Sequence, residues 1–242
     1  MNKFIELGNL PDLIDTAGIV RLSKGKVTMR VIDYAMRKYE KDKRVIRIKR
    51  GIYSKSANPF FVAARLYGGY IGLSSALYLY RLKPEVESSI FVCVDKPMKA
   101  MRFLDKTLTP VNLSKDAYGT ALLDVSGLSV LVSTFPKTLF DMLARPRHAN
   151  YFDFYRAINS SGLKADKWNE LLYYLKRSNL TVVRRCGHAL DGVAPGRFTR
   201  ELQKISDNGE GSSFFFRHRA LNYDSTWKIF DELAIRRWKD AS

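Results

Sequence analysis

The chain has 242 residues, is 46% hydrophobic and 12% aromatic, and carries a formal net charge of +17. This composition predicts packed cores in one large or two small domains and excludes a disordered basic tail. The sequence has no apolar run long enough to cross a bilayer and no signal-peptide pattern, and Cys93 and Cys186 fit no metal-site spacing. We therefore expect a cytoplasmic protein with two free thiols and no membrane partner.

Residues 9–22 are predicted to hold a short helix followed by a strand or a turn. Asn9 is a favourable helix cap, Pro11 suits a first helical turn, and Gly18 is expected to end the helix. The stretch from Ile19 to Leu22 could then form a short strand or a turn.

A second helix is predicted in the stretch KVTMRVIDYAMRKYEK, which begins at Lys26. Apolar residues at helical spacing define its buried face. They are Val27, Val31, Ile32, Ala35, Met36 and Tyr39. The opposite face is basic, and its side chains are the predicted DNA contacts of this helix: Lys26, Arg30, Tyr34, Arg37, Lys38 and Lys41.

A basic hairpin is predicted directly after this helix, in the stretch RVIRIKRGIYS. Ile46 and Ile48 alternate with basic residues, and Gly51 permits the turn. The predicted DNA contacts of the hairpin are Arg47, Lys49 and Arg50. A helix followed by a basic hairpin is typical of a winged helix, so residues 1–56 are predicted to form a winged helix-turn-helix DNA-binding domain.

The charge distribution favours nucleic acid as the partner. Between Arg21 and Arg50 the chain carries twelve Lys or Arg and three acidic residues. Because such clustered charge attracts phosphate, we expect this segment to bind double-stranded DNA, with Arg able to contact guanine and Lys able to neutralise phosphate. The alternative is an ordinary solvated basic helix face.

Residues 57–242 are predicted to form a mixed α+β domain, joined to the first by a linker at Ser54–Pro59. Helices are expected at 59–67, from Ser74, and at 136–143, 150–159 and 165–176. Strands are expected at 70–71, 90–94, 102–113 and 129–132. The stretch TVVRRCG at 181–187 could close one helix or start another. Strands and helices follow no regular alternation, which favours α+β over a doubly wound sheet.

An ordered set of segments resembles the AbiEi-type antitoxins, which pair with AbiEii-type nucleotidyltransferase toxins in phage-defence operons. The segments are RGIYS, Pro59, YIGLSSALYLYRL, FVCVDKP, VSTFPKTLFDMLARP and VVRRCGHAL, within residues 45–190. The resemblance implies a winged helix-turn-helix, an α+β antitoxin domain and repression of the protein's own operon. It also implies that the toxin is opposed without a stable protein complex. Pro136 stands where the family usually has Glu.

Operators of such repressors are usually symmetric, so we expect a monomer or homodimer to bind an inverted repeat. Arg184 and Arg185 are a candidate second basic site, with an ordinary surface or an internal ion pair as the alternatives. The basic residues at 217–219 and 236–239 are a weaker candidate of the same kind.

No catalytic residue, metal site or cofactor is predicted. The three histidines, His148, His188 and His218, are far apart in the sequence, and no phosphate-binding or nucleophile motif occurs. Two alternatives to the antitoxin remain open. One is a metal-dependent nuclease whose carboxylates converge only in space. The other is an RNA-binding module that stacks bases on Phe214, Phe215 and Phe216, next to Arg217 and Arg219.

Overall fold

The computed structural model of this chain describes residues 5–113, 118–216 and 222–231. The basic residues at 217–219 and 236–239 therefore lie outside the described residues. The described part is a mixed α+β structure, which confirms the predicted class.

The N-terminal unit is a three-stranded antiparallel sheet with two helices. Its elements are a 3-10 helix (Leu7–Asn9), β1 (Leu13–Asp15), α1 (Thr16–Leu22), α2 (Met29–Lys41), β2 (Ile46–Lys49) and β3 (Ile52–Ser54). The strand order is β1-β3-β2. The unit has a core of its own, built around Ile14, Ile32, Met36 and Tyr39.

The helix predicted from Asn9 to Gly18 is wrong. Leu13 and Ile14 form β1 because they pair with Ser54 and Tyr53 of β3. Helix α1 starts later, where the Asp15 side chain accepts a hydrogen bond from the amide of Ala17. Gly18 thus lies inside α1, and residues 19–22 are helical instead of a strand or turn.

A six-stranded mixed sheet follows, with the order β6-β7-β5-β4-β9-β8. Its strands are β4 (Tyr70–Ile71), β5 (Ser89–Val94), β6 (Met101–Phe103), β7 (Lys106–Asn112), β8 (Thr120–Val125) and β9 (Leu128–Ser133). The helices of this part are α3 (Pro59–Tyr67), α4 (Leu73–Leu79) and α5 (Phe135–Ala144). The predicted single strand at 102–113 is a hairpin of β6 and β7 instead.

Both faces of the sheet are covered at its central strand β5. Ile90, Val92 and Val94 belong to the cluster that α3 completes. Cys93 points to the other face and joins the cluster that contains α5. This alternation follows from the two-residue period of a strand.

A buried ion pair fastens α5 to the second face. Lys137 and Asp141, one helical turn apart, are fully buried and bonded to each other. The hydroxyl of Tyr70 on β4 donates to Asp141 at 2.9 Å. Because a buried charge without a partner is costly, these groups fix how α5 lies on the sheet.

The C-terminal part is helical and ends in a small sheet. It contains a 3-10 helix (Pro146–His148), α6 (Tyr151–Ser161), α7 (Ala165–Leu175), α8 (Leu180–Leu190) and α9 (Gly196–Asp207), then β10 (Ser213–Phe214), β11 (Tyr223–Asp224) and β12 (Ile229–Phe230). The stretch TVVRRCG lies inside α8. No helix in the described ranges is both long and apolar enough to span a membrane.

Hydrogen bonds hold the segment between β3 and α3 in place at both of its ends. Lys55 donates to the carbonyl of Leu10. Asn58 caps α3 by accepting from the amides of Phe60 and Phe61, and its side-chain nitrogen donates to the carbonyl of Val125 at 3.4 Å. The predicted linker is therefore a short, anchored connection.

Candidate nucleic-acid interface

Helix α2 separates its residues into two faces. Ile32, Met36 and Tyr39 are buried in the N-terminal core, and the Tyr39 hydroxyl donates to the carbonyl of Ile5 at 2.9 Å. The side chains predicted to contact DNA are all exposed: Lys26, Arg30, Tyr34, Arg37, Lys38 and Lys41. Helix α2 begins at Met29 and not at Lys26 as predicted, so Lys26 lies in the turn before the helix. Val31, predicted to be buried, is 43% exposed because it lies at the edge of the apolar stripe.

The turn before α2 is fixed from inside. Ser23 is buried, and its hydroxyl donates to the carbonyl of Val20 at 2.7 Å and accepts from the amide of Val27 at 3.2 Å. These bonds set the approach of α1 to α2 without using any of the basic side chains.

The hairpin of β2 and β3, residues 46–54, extends the basic surface. Arg47, Lys49 and Arg50 are exposed. Ile46 and Ile48 face inward and pack against the cluster formed by α3 and the six-stranded sheet. The N-terminal unit is therefore seated on the second part of the chain through the apolar side of this hairpin.

Thr16 holds the tip of the hairpin. Its amide donates to the carbonyl of Gly51 at 2.9 Å, and its hydroxyl donates to the same carbonyl at 3.2 Å. Gly51 has a φ of +76°, which a residue with a side chain rarely adopts. Sequence reasoning missed this contact, because no local pattern links residues 35 positions apart.

The basic side chains are mostly not neutralised within the protein. Among the described residues, no salt bridge involves Arg30, Arg37, Lys38, Lys41, Arg47, Lys49 or Arg50. Unpaired surface cations remain available to phosphate and to base edges.

The helix and the hairpin act on one shared group, Tyr53 of β3. Burial raises the pKa of Tyr53. The charge of Arg47 and, more weakly, that of Arg37 oppose this rise, whereas Glu40 and Asp33 add to it. Tyr53 therefore feels charges from both α2 and the hairpin.

Arg184 and Arg185 do not form a second basic surface, which corrects that prediction. Arg184 is 1% exposed, and its guanidinium donates to the carbonyl of Gly209 at 2.9 Å and to the Ser213 hydroxyl at 3.3 Å. Burial lowers the pKa of Arg184. Arg185 is half-buried and donates to the carbonyls of Phe214 and Leu143.

His188, on the same helix, bridges two carboxylates. Its Nδ1 lies 2.7 Å from Asp224, and its Nε2 lies 2.9 Å from Asp231. Both ring nitrogens are thus engaged, which leaves no nitrogen open to a substrate or a metal. Helix α8 therefore uses Arg184, Arg185 and His188 to hold the C-terminal strands.

The remaining candidates for catalysis do not converge. His148 lies against the ring of Phe91, and its pKa is lowered by burial and by Arg145 and Arg147. His218 lies outside the described residues. Within the described ranges, no group of three or more His, Cys, Asp or Glu is arranged to hold a metal ion. Cys93 and Cys186 are free thiols, as predicted, and both are buried.

The aromatic run at 214–216 is divided between two faces of the small sheet. Phe215 is fully buried and faces His188. Phe214 stacks on Phe230 with ring centroids 5.1 Å apart, and Phe230 contacts Tyr223 at 4.7 Å. These three rings lie side by side across β10, β12 and β11. Tyr223, at the edge, is 52% exposed.

Comparison with known proteins supports the architecture only. No protein-family model and no curated protein matches the chain. The crystal structure of the RV2827C protein from Mycobacterium tuberculosis is similar, with a TM-score of 0.64 and 14% sequence identity. The match covers 94% of this chain and 89% of that chain. At this identity the likeness concerns the fold, which extends over nearly the whole chain.

Proposed function

We propose that the chain is a DNA-binding autorepressor and antitoxin. Residues 1–56 form a winged helix-turn-helix, with α2 in the major groove and the hairpin of residues 46–54 on the phosphate backbone. Residues 57–242 form the antitoxin domain, which opposes an AbiEii-type nucleotidyltransferase toxin without a stable complex. The protein acts in the cytoplasm, as a monomer or homodimer on an inverted repeat.

One observation carries the DNA-binding part of this proposal. The basic side chains on α2 and on the hairpin are exposed, and in the described part of the chain no salt bridge involves Arg30, Arg37 or the three hairpin cations. Helix α2 has 13 residues, so it is about 20 Å long, and a B-DNA major groove is wide enough to admit it. The hairpin tip, held by Thr16, then supports contacts to the backbone beside the groove.

The antitoxin part rests on the ordered sequence segments and not on a site. Several of these segments have structural roles here: Lys137 and Asp141 lock α5 to the sheet, and Arg184 and His188 hold the C-terminal strands. These contacts preserve the shape of the proposed antitoxin domain.

Footprinting of the full chain on its own upstream DNA tests the DNA-binding proposal. Wild-type protein should protect a defined site in the presence of Mg²⁺, without strand breaks. Arg30→Gln combined with Arg37→Gln should abolish protection. A matched control, Lys96→Gln with Lys99→Gln, removes the same charge from an exposed stretch of the second part and should leave protection intact. Equal effects of the two pairs would contradict the proposed surface, and Mg²⁺-dependent strand breaks would favour the nuclease.

Growth rescue tests the antitoxin proposal separately. Cells that express an AbiEii-type nucleotidyltransferase toxin should be protected by the full chain and also by the Arg30→Gln, Arg37→Gln variant, because neutralisation is assigned to the second domain. Failure of both proteins to protect, while they remain folded, would contradict the antitoxin assignment.

A second candidate function, single-stranded RNA binding, is favoured by the aromatic row of Phe214, Phe230 and Tyr223. An unpaired base could stack on the exposed ring of Tyr223, since base–aromatic stacking contributes about 1–3 kcal/mol. Fluorescence anisotropy with a labelled uridine oligonucleotide tests this candidate. Tyr223→Leu should weaken binding and Tyr223→Phe should preserve it. No difference between the two variants would exclude stacking at this ring.

A further inference from the structure

The basic face of α2 has an aromatic side chain at its centre. Tyr34 is 74% exposed and lies among Arg30, Arg37 and Lys38, which are its neighbours three or four residues away. Val31, three residues before Tyr34, is 43% exposed on the adjoining edge. The exposed face of α2 is therefore basic around its edge and has an aromatic ring at its centre.

The exposure of Tyr34 is not required by the packing of the N-terminal unit. The buried face of α2 is already completed by Ile32, Ala35, Met36 and Tyr39. The Tyr34 side chain forms no hydrogen bond or ring contact with another residue in the described part of the chain. A large ring held in solvent without a partner, in the middle of a phosphate-attracting face, is available for contact with the ligand of that face.

The chemistry of the major groove limits what this ring can meet there. Arg and Lys pair with guanine, whereas an apolar side chain recognises the C5-methyl group of thymine. Among the bases of ordinary DNA, only thymine presents a methyl group in the major groove.

We propose that Tyr34 reads a thymine methyl group, with Val31 closing the same apolar contact, so that the operator carries thymine beside the bases read by Arg30 and Arg37. This inference rests on the proposed DNA-binding function and adds a base preference to it. The helical spacing places Tyr34 one turn from Arg30, so the thymine lies within a few base pairs of the arginine contact.

A competing role for Tyr34 is the donation of a hydrogen bond from its hydroxyl to a phosphate. That role depends on the hydroxyl and not on the ring, and it does not depend on which base is present. Tyr34→Phe removes the hydroxyl and keeps the ring, whereas Tyr34→Ala removes both.

The test combines changes in the protein with the removal of one methyl group from the DNA. A duplex is first selected from a random library by the full chain, and each thymine is then replaced singly by deoxyuridine. At one or two positions, wild-type protein should bind the deoxyuridine duplex about four-fold more weakly, which corresponds to one buried methyl group. The ratio of the affinity for the thymine duplex to the affinity for the deoxyuridine duplex should stay the same in Tyr34→Phe and in Arg37→Ala. In Tyr34→Ala this ratio should fall close to one.

The outcomes separate this inference from the function on which it depends. If no sequence is enriched from the library, sequence-specific DNA binding itself fails. If a sequence is enriched but every deoxyuridine duplex binds like its thymine parent, or Tyr34→Ala keeps the wild-type ratio, the reading of thymine by Tyr34 is wrong. Loss of affinity in Tyr34→Phe with no dependence on the methyl group would assign Tyr34 to phosphate.

Discussion

Thr16 donates two hydrogen bonds to the carbonyl of Gly51, one from its amide and one from its hydroxyl. The first residue of α1 is thereby joined to the turn of the basic hairpin. Because Arg50 immediately precedes Gly51, this contact fixes where the hairpin tip lies relative to the helices. It links the local fold of the N-terminal unit to the geometry of the proposed DNA surface.

Substitution of Thr16 tests this link. Thr16→Val keeps the shape and the amide bond but removes the buried hydroxyl, and it should lower the free energy of unfolding by about 1 kcal/mol. The affinity for operator DNA should also fall, because the hairpin tip is held less firmly. Thr16→Ser, which retains the hydroxyl, is the matched control. Thermal melting and gel shifts measure the two effects, and an unchanged affinity in Thr16→Val would mean that the tip does not need this support.

Arg37 and Lys49 are expected to differ in what they recognise. Arg37→Ala should cost about 1–3 kcal/mol on the operator and less on random DNA, because the proposal places Arg37 in the major groove. Lys49→Ala should weaken binding to both duplexes about equally, because the proposal places Lys49 on phosphate, which is the same in every sequence. Titrations on the two duplexes at one salt concentration measure both variants. Equal losses for Arg37→Ala on both duplexes would refute its role in reading sequence.

Salt dependence measures how much of the basic surface meets phosphate. If about six to ten phosphate contacts form per bound dimer, a plot of log affinity against log salt should have a slope of about −5 to −9. A slope shallower than about −2 would show that the surface of α2 and the hairpin is not where DNA binds.

Arg184 is expected to matter for stability and not for DNA binding. Arg184→Ala leaves the carbonyl of Gly209 and the Ser213 hydroxyl without this buried donor, so we expect a loss of about 2–4 kcal/mol in the free energy of unfolding. Arg177, exposed and stacked on Tyr173, provides a control, since Arg177→Ala removes the same charge from the surface. Operator affinity measured well below the melting temperature should be unchanged in both variants. A normal melting temperature for Arg184→Ala would contradict the structural role.

The sequence predicted α2 and the basic hairpin because their signals are local. The apolar period of α2 is contained within the helix, and the alternation of Ile46 and Ile48 with basic residues is contained within the hairpin. Strand β1 was missed because it exists through its pairing with β3, which lies some 40 residues along the chain. The β6–β7 hairpin was missed because its turn uses Leu104 in the left-handed region, without a glycine or proline to mark it.

The same contrast between local and long-range signals applies to the candidate site. Exposure of the basic residues on α2 follows from their position opposite an apolar stripe, so it could be predicted. The burial of Arg184 could not, because its hydrogen-bond partners Ser206, Gly209 and Ser213 come from α9 and the segment after it. Likewise, nothing near His188 in the sequence indicates that Asp224 and Asp231 flank its ring.

The ratio between the affinity for operator and the affinity for a scrambled duplex, measured with the full chain at fixed salt, tests the central claim most directly. A DNA-binding repressor that reads bases through α2 should bind the operator at least about 10³-fold more tightly. Arg30→Gln with Arg37→Gln should bring the ratio near one, while Lys96→Gln with Lys99→Gln should preserve it. Equal affinity of the wild-type protein for both duplexes would contradict sequence-specific repression by this chain.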